Sequence, residues 1–530
     1  MKYEIIRPNT DERLVGSPLS NLSLRVLSKA ALKQEYFDNL FFPAPVFPDD
    51  ENLRIVSERI QEAIETEEKI FVFGDYDADG ISATSLMVAY LKRQGADVGY
   101  YIPNRLKEGY GLTKDKLEMA IEKGYSLVIT VDNGVSAYEA LDYAESMAVD
   151  VIIMDHHIIP GDREYEYILH PDRFENPYFR DMCGAGVVLQ YLRYNHGDRK
   201  KDWILAMVAT IGDMVPVFLA NREILKKGLQ FFNEGAYPAL SYLSKKKTTD
   251  ETGIGFDIVP NINTVGRLAD RANVNNLVKF LLLEDETQII HVADQLKELN
   301  KERQQMVKDA KSTTPDAQYD FANYKILISK SYHEGIIGLL ANAWMNEVHK
   351  PVIVFAENEK EFKGSGRSPK NYDIHENLSR YKDLFTHFGG HEQACGVTIS
   401  KENFRQFIEL LKNEEAKEIA EEKEEAIAIS LEDLSLKSVE ELFSFRPFGM
   451  DFKLPDFYLR FLPVNNTQIL KNEYRKTVTY KNREIVEVLC FNPAFLTHLE
   501  ADGWHDVIVT LNINEFNGKK NVSMYVKDVL

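Results

Sequence analysis

Three short clusters between Asp75 and His157 carry residue types suited to divalent cations: DYDADG (Asp75 to Gly80), DNG (Asp132 to Gly134) and DHH (Asp155 to His157). DYDADG offers carboxylates at alternate positions, Asp75, Asp77 and Asp79. In a regular strand these would share one face, but Gly80 ends the strand, so a turn can fan them around a metal pair. Asp132 can bridge two ions, His156 can add a nitrogen ligand, and Asp213 in ATIGDMVP offers a fourth carboxylate source. Mixed imidazole and carboxylate ligands suit Mn²⁺ first and Mg²⁺ second. Two such ions about 4 Å apart generate hydroxide and clamp the oxygens of an in-line phosphoryl displacement.

Each cluster has a blander reading alone. DxDxD also occurs in calcium loops and solvated turns, but the EF-hand form needs a bidentate Glu that is missing after Gly80. A single DHH says little. What joins them is position, because each follows an apolar run that reads as a buried strand: IFVFG (Ile70 to Gly74), LVITV (Leu127 to Val131) and VIIM (Val151 to Met154). Strand ends along one edge of a parallel sheet share a crevice, where residues distant in sequence can meet.

The supporting elements follow the same logic. From about residue 50 to 215, strand-like and helix-like runs alternate, as in SATSLMVAYLKRQG and SAYEALDYAESMA, which predicts an α/β domain with a parallel sheet. A long charged helical pattern over Thr287 to Ser312, stopped by Pro315, predicts a connection to a second α/β domain between about Tyr324 and Leu411. The acidic run NEEAKEIAEEKEEA (Asn413 to Ala426) reads as a solvated helix or linker. Short alternating segments beyond Leu431 predict a small β-barrel or sandwich. The expected boundaries are 1–49 (N-terminal segment), 50–275 (catalytic domain), 276–320 (connecting helix), 321–412 (substrate-binding domain), 413–430 (linker) and 431–530 (β-domain).

Bulk properties narrow the class. At 530 residues the chain exceeds one ordinary core, and 44% hydrophobic content supports folding rather than disorder. The net charge of -20 argues against a general nucleic-acid coat but not against an enzyme threading one strand into a metal-lined groove. The three cysteines, Cys183, Cys395 and Cys490, are far apart and predict no disulfide framework. No apolar run reaches membrane-spanning length and the start lacks a signal-peptide pattern, so a cytoplasmic protein without membrane association is expected.

With these motifs in order, the chain resembles the DHH phosphoesterase superfamily, and within it the RecJ-type single-strand-specific exonucleases. The resemblance rests on FGDYDADG, VDNGVS, MDHH, CGAGVV, ATIGDMVP, PNINTVGRL, HEGIIGLLA, GSGRS and FGGHEQACG. It implies a DHH catalytic domain, a DHH-associated domain and a C-terminal OB-like β-barrel. It implies that Asp75, Asp77, Asp79, Asp132, His156 and Asp213 hold two Mn²⁺ ions, with Mg²⁺ as the alternative. Asp132 would bridge, His157 would contact phosphate or assist as an acid, and Arg267 would bind phosphate near the scissile group. Ser365, Arg367, Gly389, Gly390 and His391 would bind substrate. Candidates in the β-domain are Tyr474, Arg475, Lys476, Tyr480, Lys481, Lys519, Lys520 and Tyr525.

Two departures from the family pattern stand out. Phe73 occupies a position where members of the superfamily often carry His, and RPFG (Arg446 to Gly449) continues as MDFKLPDF instead of Gly-Asn-Pro. The activity implied is 5′-to-3′ degradation of single-stranded DNA to 5′-mononucleotides in repair and recombination. A single-strand-binding protein and a repair helicase are the partners implied by resemblance alone. The alternatives are a phosphodiesterase for short oligonucleotides or cyclic dinucleotides, and a DNA-binding scaffold whose site has decayed.

Overall fold

A computed structural model describes residues 2–417, 423–464, 468–470, 474–481, 484–492, 495, 503–516 and 518–530. The chain forms two units. One comprises Val46–Val215 and Glu223–Glu422, the other Met1–Pro45, Pro216–Arg222 and Lys423–Leu530.

The unit that begins at Val46 contains two sheets. The first has five parallel strands in the order Asp97–Tyr101, Lys69–Phe73, Leu127–Val131, Asp150–Met154 and Ile168–Leu169. A parallel sheet needs helices on its faces, so its central strands are apolar on both sides. Ile70, Val72, Phe73, Leu127, Val128 and Ile129 are accordingly all buried. Fully burying one such side chain is worth about 1.5–3 kcal/mol. The helices Ala78–Arg93, Gly184–Tyr194 and Lys200–Gly212 are themselves buried over most of their length, which explains their near-continuous apolar sequences.

The helix Glu286–Ser312 begins where Asp285 accepts the Gln288 N–H and leads into the second sheet. That sheet has six strands, in the order Phe385–His391, Ala394–Ser400, Glu361–Arg367, Val352–Glu357, Lys325–Ser329 and Ala317–Asp320. Only Lys325–Ser329 and Val352–Glu357 run parallel to each other. Their alternating residues divide between two cores. Ile326, Ile328, Ile353 and Phe355 pack with Phe404 and Phe407, whereas Leu327, Val352 and Val354 pack with Ile337 and Leu340. Of the four antiparallel strands, Glu361–Arg367, Phe385–His391 and Ala394–Ser400 were not foreseen because glycines at 364, 366, 389, 390 and 396 weaken their strand signal.

The other unit holds an eight-stranded mixed sheet. Its order is Tyr3–Ile6, Glu424–Ile429, Asp456–Val464, Gly503–Phe516, Lys519–Val529, Glu484–Cys490, Tyr474–Lys481 and Gln468–Leu470. The expected C-terminal β-domain is present, but no pairing among the described residues joins the two outer strands, so the sheet is open where a closed barrel was expected. Residues near the N-terminus belong to this unit: Tyr3–Ile6 pairs with Glu424–Ile429, and Arg25 donates to the Ala428 carbonyl at 2.7 Å. Glu424–Ile429 falls within the stretch expected as an acidic linker. Its AIAI run is buried between two parallel neighbours, which makes it a strand.

Arg222, fully buried, donates to the carbonyls of Phe445 (2.7 Å) and Arg446 (3.0 Å), and so holds the departing RPFG segment within its own unit. Among the described residues no helix is long and apolar enough to cross a membrane. All three cysteines are buried and free.

Candidate active site

The three acidic clusters do lie at strand ends of the five-stranded sheet. DYDADG is not an extended segment. Asp75 lies in the turn after Lys69–Phe73, Asp77 caps the helix Ala78–Arg93, and Asp79 stands in that helix's first turn. The Asp77 carboxylate accepts the N–H groups of Asp79 (2.9 Å) and Gly80 (3.2 Å). Gly80 is required by close approach, since a Cβ there would meet the Asp75 backbone. Asp132 has φ of 60°, an uncommon conformation for a non-glycine residue, immediately after Leu127–Val131. Asp213 is the C-cap of Lys200–Gly212.

These residues converge. His156 Nε2 lies 3.1 Å from Asp132 Oδ1 and 3.6 Å from Asp79 Oδ2, and its Nδ1 lies 3.7 Å from Asp213 Oδ2. Three overlapping groups have ligand atoms within 4.8 Å of one another: Asp75–Asp77–Asp132, Asp79–His156–Asp213 and Asp132–His156–His157. Every metal-site residue expected from the sequence is in at least one of them. Asp79 has a further role: its oxygens accept the N–H groups of Gly184 (2.6 Å) and Ala185 (2.7 Å) at the start of Gly184–Tyr194, a helix N-terminus that favours an anion.

The electrostatics are those of a cation site. Burial and neighbouring carboxylates push Asp75, Asp77 and Asp132 up from the ordinary carboxylate range. Burial and the charges of Asp79 and Asp77 take Asp213 to about 8. The Asp75 Oδ1 atom is buried and has no hydrogen-bond partner. An orphaned carboxylate oxygen among mutually repelling acids is a donor set that a divalent cation completes, so these residues fit Mn²⁺ or Mg²⁺.

The paired histidines differ. Burial lowers His156, keeping it neutral as a nitrogen ligand must be. Burial also opposes protonation of His157, but its hydrogen bond to Asp155 (2.8 Å) and that residue's charge lift it to about 9. Asp155 is in none of the three ligand groups. It accepts the N–H groups of Val135 (3.1 Å), His156 (2.7 Å) and His157 (3.2 Å), and although burial works to raise it, the His157 side chain and the backbone donors of Val135 and His157 hold it at about 2. Phe73 is part of the core against Phe71 and Leu117, outside the ligand groups.

Opposite in sign is a group of arginines in the same unit. Burial, then the charges of Arg105, Arg303 and Arg367, lower Arg267 to about 10. Arg267 ends the helix Val259–Arg267, whose Asn263 accepts the Ala78 N–H at 2.7 Å and so ties this helix to the acidic loop. Arg367 donates to Ser365 Oγ at 3.0 Å. Pairing register puts His391, Ala394 and Arg367 in one row and Gly389, Gly396 and Ser365 in another, all on the same sheet face. That face is a floor of glycine and alanine edged by Ser365, Arg367 and His391. Gly389, Gly390 and His391 form a strand end and not a tight turn.

Several contributors were missed from the sequence. Tyr110 places its hydroxyl 3.0 Å from the Asp132 carbonyl and 3.1 Å from His157 Nδ1. Arg105 stacks on Tyr76 at 5.0 Å. Asn263, Arg303 and Asp155 were also unassigned. Asp155 and Asn263 belonged to motifs already in view, and the place of Asp155 after an apolar strand could have marked it; Tyr110, Arg105 and Arg303 carry no local signal. In the β-domain, Tyr525 is half-buried and bonded to Asn512 (3.3 Å), and Lys520 pairs with Glu440 (3.2 Å). Lys519 is exposed. The side chains of Tyr474, Arg475, Lys476, Tyr480 and Lys481 fall outside the described residues.

Comparison with known proteins agrees with this architecture. The DHH family N-terminal domain matches residues 69–212, the DHHA1 domain 321–417 and the RecJ OB domain 426–528. The single-stranded-DNA-specific exonuclease RecJ of Bacillus subtilis is 31% identical, covering 100% of this chain and 70% of that protein. Its Haemophilus influenzae namesake is 27% identical over 88% of each. The Thermus thermophilus RecJ structure with Mn²⁺ superposes with a TM-score of 0.80 at 22% identity, covering 100% of this chain and 79% of that one. A manganese-bound exonuclease RecJ structure matches with a TM-score of 0.61 at 26% identity, covering 71% and 99%.

Proposed function

The chain belongs to the RecJ family, and we propose that it is a metal-dependent exonuclease that removes 5′-mononucleotides from the 5′ end of single-stranded DNA. The observation that carries this reading is the pairing of a largely buried carboxylate–imidazole cluster with a partly exposed arginine cluster, joined through the helix that bears both Asn263 and Arg267.

In this reading Asp75, Asp77, Asp79, Asp132, His156 and Asp213 would hold two Mn²⁺ ions, or Mg²⁺. Such cations would supply the Lewis acidity that activates water and neutralises the non-bridging phosphate oxygens. Arg267 and Arg367, with Ser365, take the terminal 5′-phosphate, and the Gly389–Gly390–His391 strand end lets the backbone of the strand lie close to the sheet. Attack on phosphorus breaks its bond to the 3′-oxygen of the terminal nucleotide. His157, held protonated by Asp155 and flanked by the Tyr110 hydroxyl, donates a proton to that oxygen. The products are one 5′-mononucleotide with a free 3′-hydroxyl and a strand that begins with a new 5′-phosphate. That phosphate matches the arginine cluster and readies the next cycle.

The β-domain adds contacts along the strand through Lys519, Lys520 and the candidates on Tyr474–Lys481. The enzyme would work in the cytoplasm, and a single-strand-binding protein and a repair helicase are the partners this role calls for. The test is a time course with Mn²⁺ on DNA labelled at either end. Immediate release of labelled mononucleotide from the 5′-labelled strand alone, lost in Asp132→Ala, supports the reading. Release from the 3′ end first, or from neither, overturns it in favour of a different substrate or a scaffold.

A further inference from the structure

Along the helix that links the two charged clusters, the side opposite the core carries a third feature. A π-helical turn, Ile254–Ile258, runs directly into Val259–Arg267. Ile254, Ile258, Ile262 and Val265 face the core. Residues 256, 260, 263 and 267 recur at the complementary spacing and form the other stripe. Arg267 and Asn263 on that stripe already belong to the site. At its far end stands Phe256, 76% exposed, a large apolar ring that the core does not use.

Its surroundings place the turn against the helix end that carries Asp213. A Cβ at Gly255 would lie 3.3 Å from Ile211, and one at Gly212 would lie 3.4 Å from Val259. The turn therefore packs on the end of Lys200–Gly212, where Asp213 is the cap and Met214 follows, 63% exposed with φ of 57°. At about 1.5 Å rise per residue, Phe256 stands roughly 10 Å beyond Asn263 along the helix, about three base steps of ~3.4 Å. π-turns inside α-helices recur at functional sites.

Resting on the function proposed above, we infer that Phe256 is a stacking platform for a nucleobase two to three nucleotides to the 3′ side of the scissile phosphate. The terminal phosphate at Arg267, the scissile bond near Asn263 and a base on Phe256 would then lie in sequence along one helix face. A phenyl ring accepts any base, so the contact grips strands of at least this length without reading their sequence.

Steady-state kinetics on single-stranded DNA test this with Phe256→Ala and Phe256→Trp. A base–aromatic stack is worth about 1–3 kcal/mol, so Phe256→Ala is expected to raise KM about tenfold, with kcat changed less and Phe256→Trp restoring KM. The KM for a dinucleotide, which ends short of Phe256, moves less. An abasic nucleotide at the facing position raises the wild-type KM but adds little to that of Phe256→Ala. A wild-type enzyme that turns over while Phe256→Ala keeps its KM, or an abasic effect that adds in full to the substitution, overturns the stacking and leaves the exonuclease reading intact. Absence of wild-type turnover on every strand overturns both.

Discussion

The acidic and basic clusters are built in opposite ways. The carboxylates sit where the backbone leaves them no choice: a turn after one strand, a helix N-cap, a left-handed residue after a second strand, and a helix C-cap. The arginines come from four separate places: a loop (Arg105), a helix end (Arg267), the long helix (Arg303) and a strand (Arg367). Short side chains at fixed backbone points hold like charges within 4.8 Å of one another, a repulsion that bound cations relieve and that protons relieve in their absence. Long side chains converging from several elements can rearrange around a phosphate. The comparison teaches that the acidic cluster is a fixed template and the arginine cluster an adaptable clamp.

The largest expected effect strikes the template. Asp132 is a member of two of the three ligand groups, so Asp132→Asn should lower turnover by at least about a thousandfold, beyond the loss of a single oxyanion donor, and should reduce bound Mn²⁺ measured by calorimetry. Full Mn²⁺ binding with full activity in this variant would break the comparison. The metal-free protein offers a second check. Asp213 stands at about 8 when folded against 3.8 as its ordinary value, so the folded chain binds more protons between these limits. Stability is then fully present below the lower value and is lost as pH rises through the upper one. Thermal melts of metal-free protein at about pH 5 and about pH 8 should show the lower Tm at the higher pH, and Mn²⁺ should remove much of that difference. A metal-free Tm that rises between these points would show that the carboxylates do not repel as described.

The clamp should fail more gently. Removing a charged partner from a phosphate contact costs about 2–5 kcal/mol, so Arg367→Met should raise KM on 5′-phosphorylated strands about a hundredfold or more. Strands with a 5′-hydroxyl should be affected much less, because the phosphate is what the guanidinium holds. Equal losses on both would place Arg367 in a structural role. Between these two classes lies Asp155, which belongs to no ligand group but hydrogen-bonds His157, a member of one, at 2.8 Å and so orients it. Asp155→Asn should lower activity about 10- to 100-fold, the usual range for an outer partner of a site, with the metal stoichiometry unchanged by calorimetry.

The same contrast decides what was legible in the sequence. Acids placed by strand ends and caps are contiguous with the strands that carry them, so DYDADG, DNG and DHH could be read directly, and with them the three central strands of the parallel sheet, though not its outer strands Asp97–Tyr101 and Ile168–Leu169. Arg105, Arg303 and Tyr110 act through tertiary convergence, and none has a neighbour in sequence that marks it; Asn263 stands in PNINTVGRL beside Arg267, but its bond to the Ala78 N–H is visible only in the fold. The antiparallel half of the second sheet escaped for another reason. Its glycines bury no side chain and interrupt the alternation that announces a strand. The open β-sheet was predicted as a barrel because short alternating strands look the same in both. Closure depends on which edges pair, and the partner for one edge, Tyr3–Ile6, comes from the far end of the chain.

The smallest effect separates two adjacent glycines on the clamp's side. Gly390 has φ of 145°, and a Cβ there would overlap the Ala394 carbonyl, so Gly390→Ala strains both backbone and packing. Gly389 has open space around its Cβ position and a backbone conformation that any residue adopts. Gly389→Ala should leave stability within about 0.5 kcal/mol, whereas Gly390→Ala should lower Tm clearly in the same melts. A methyl group at 389 would nonetheless rise from the floor beside Gly396 and Ser365, where the strand is proposed to lie. Weaker binding of single-stranded DNA by the stable Gly389→Ala protein would assign that glycine to the substrate and its neighbour to the fold. Unchanged binding would move the path of the strand off this face and leave the arginines to hold the phosphate without it.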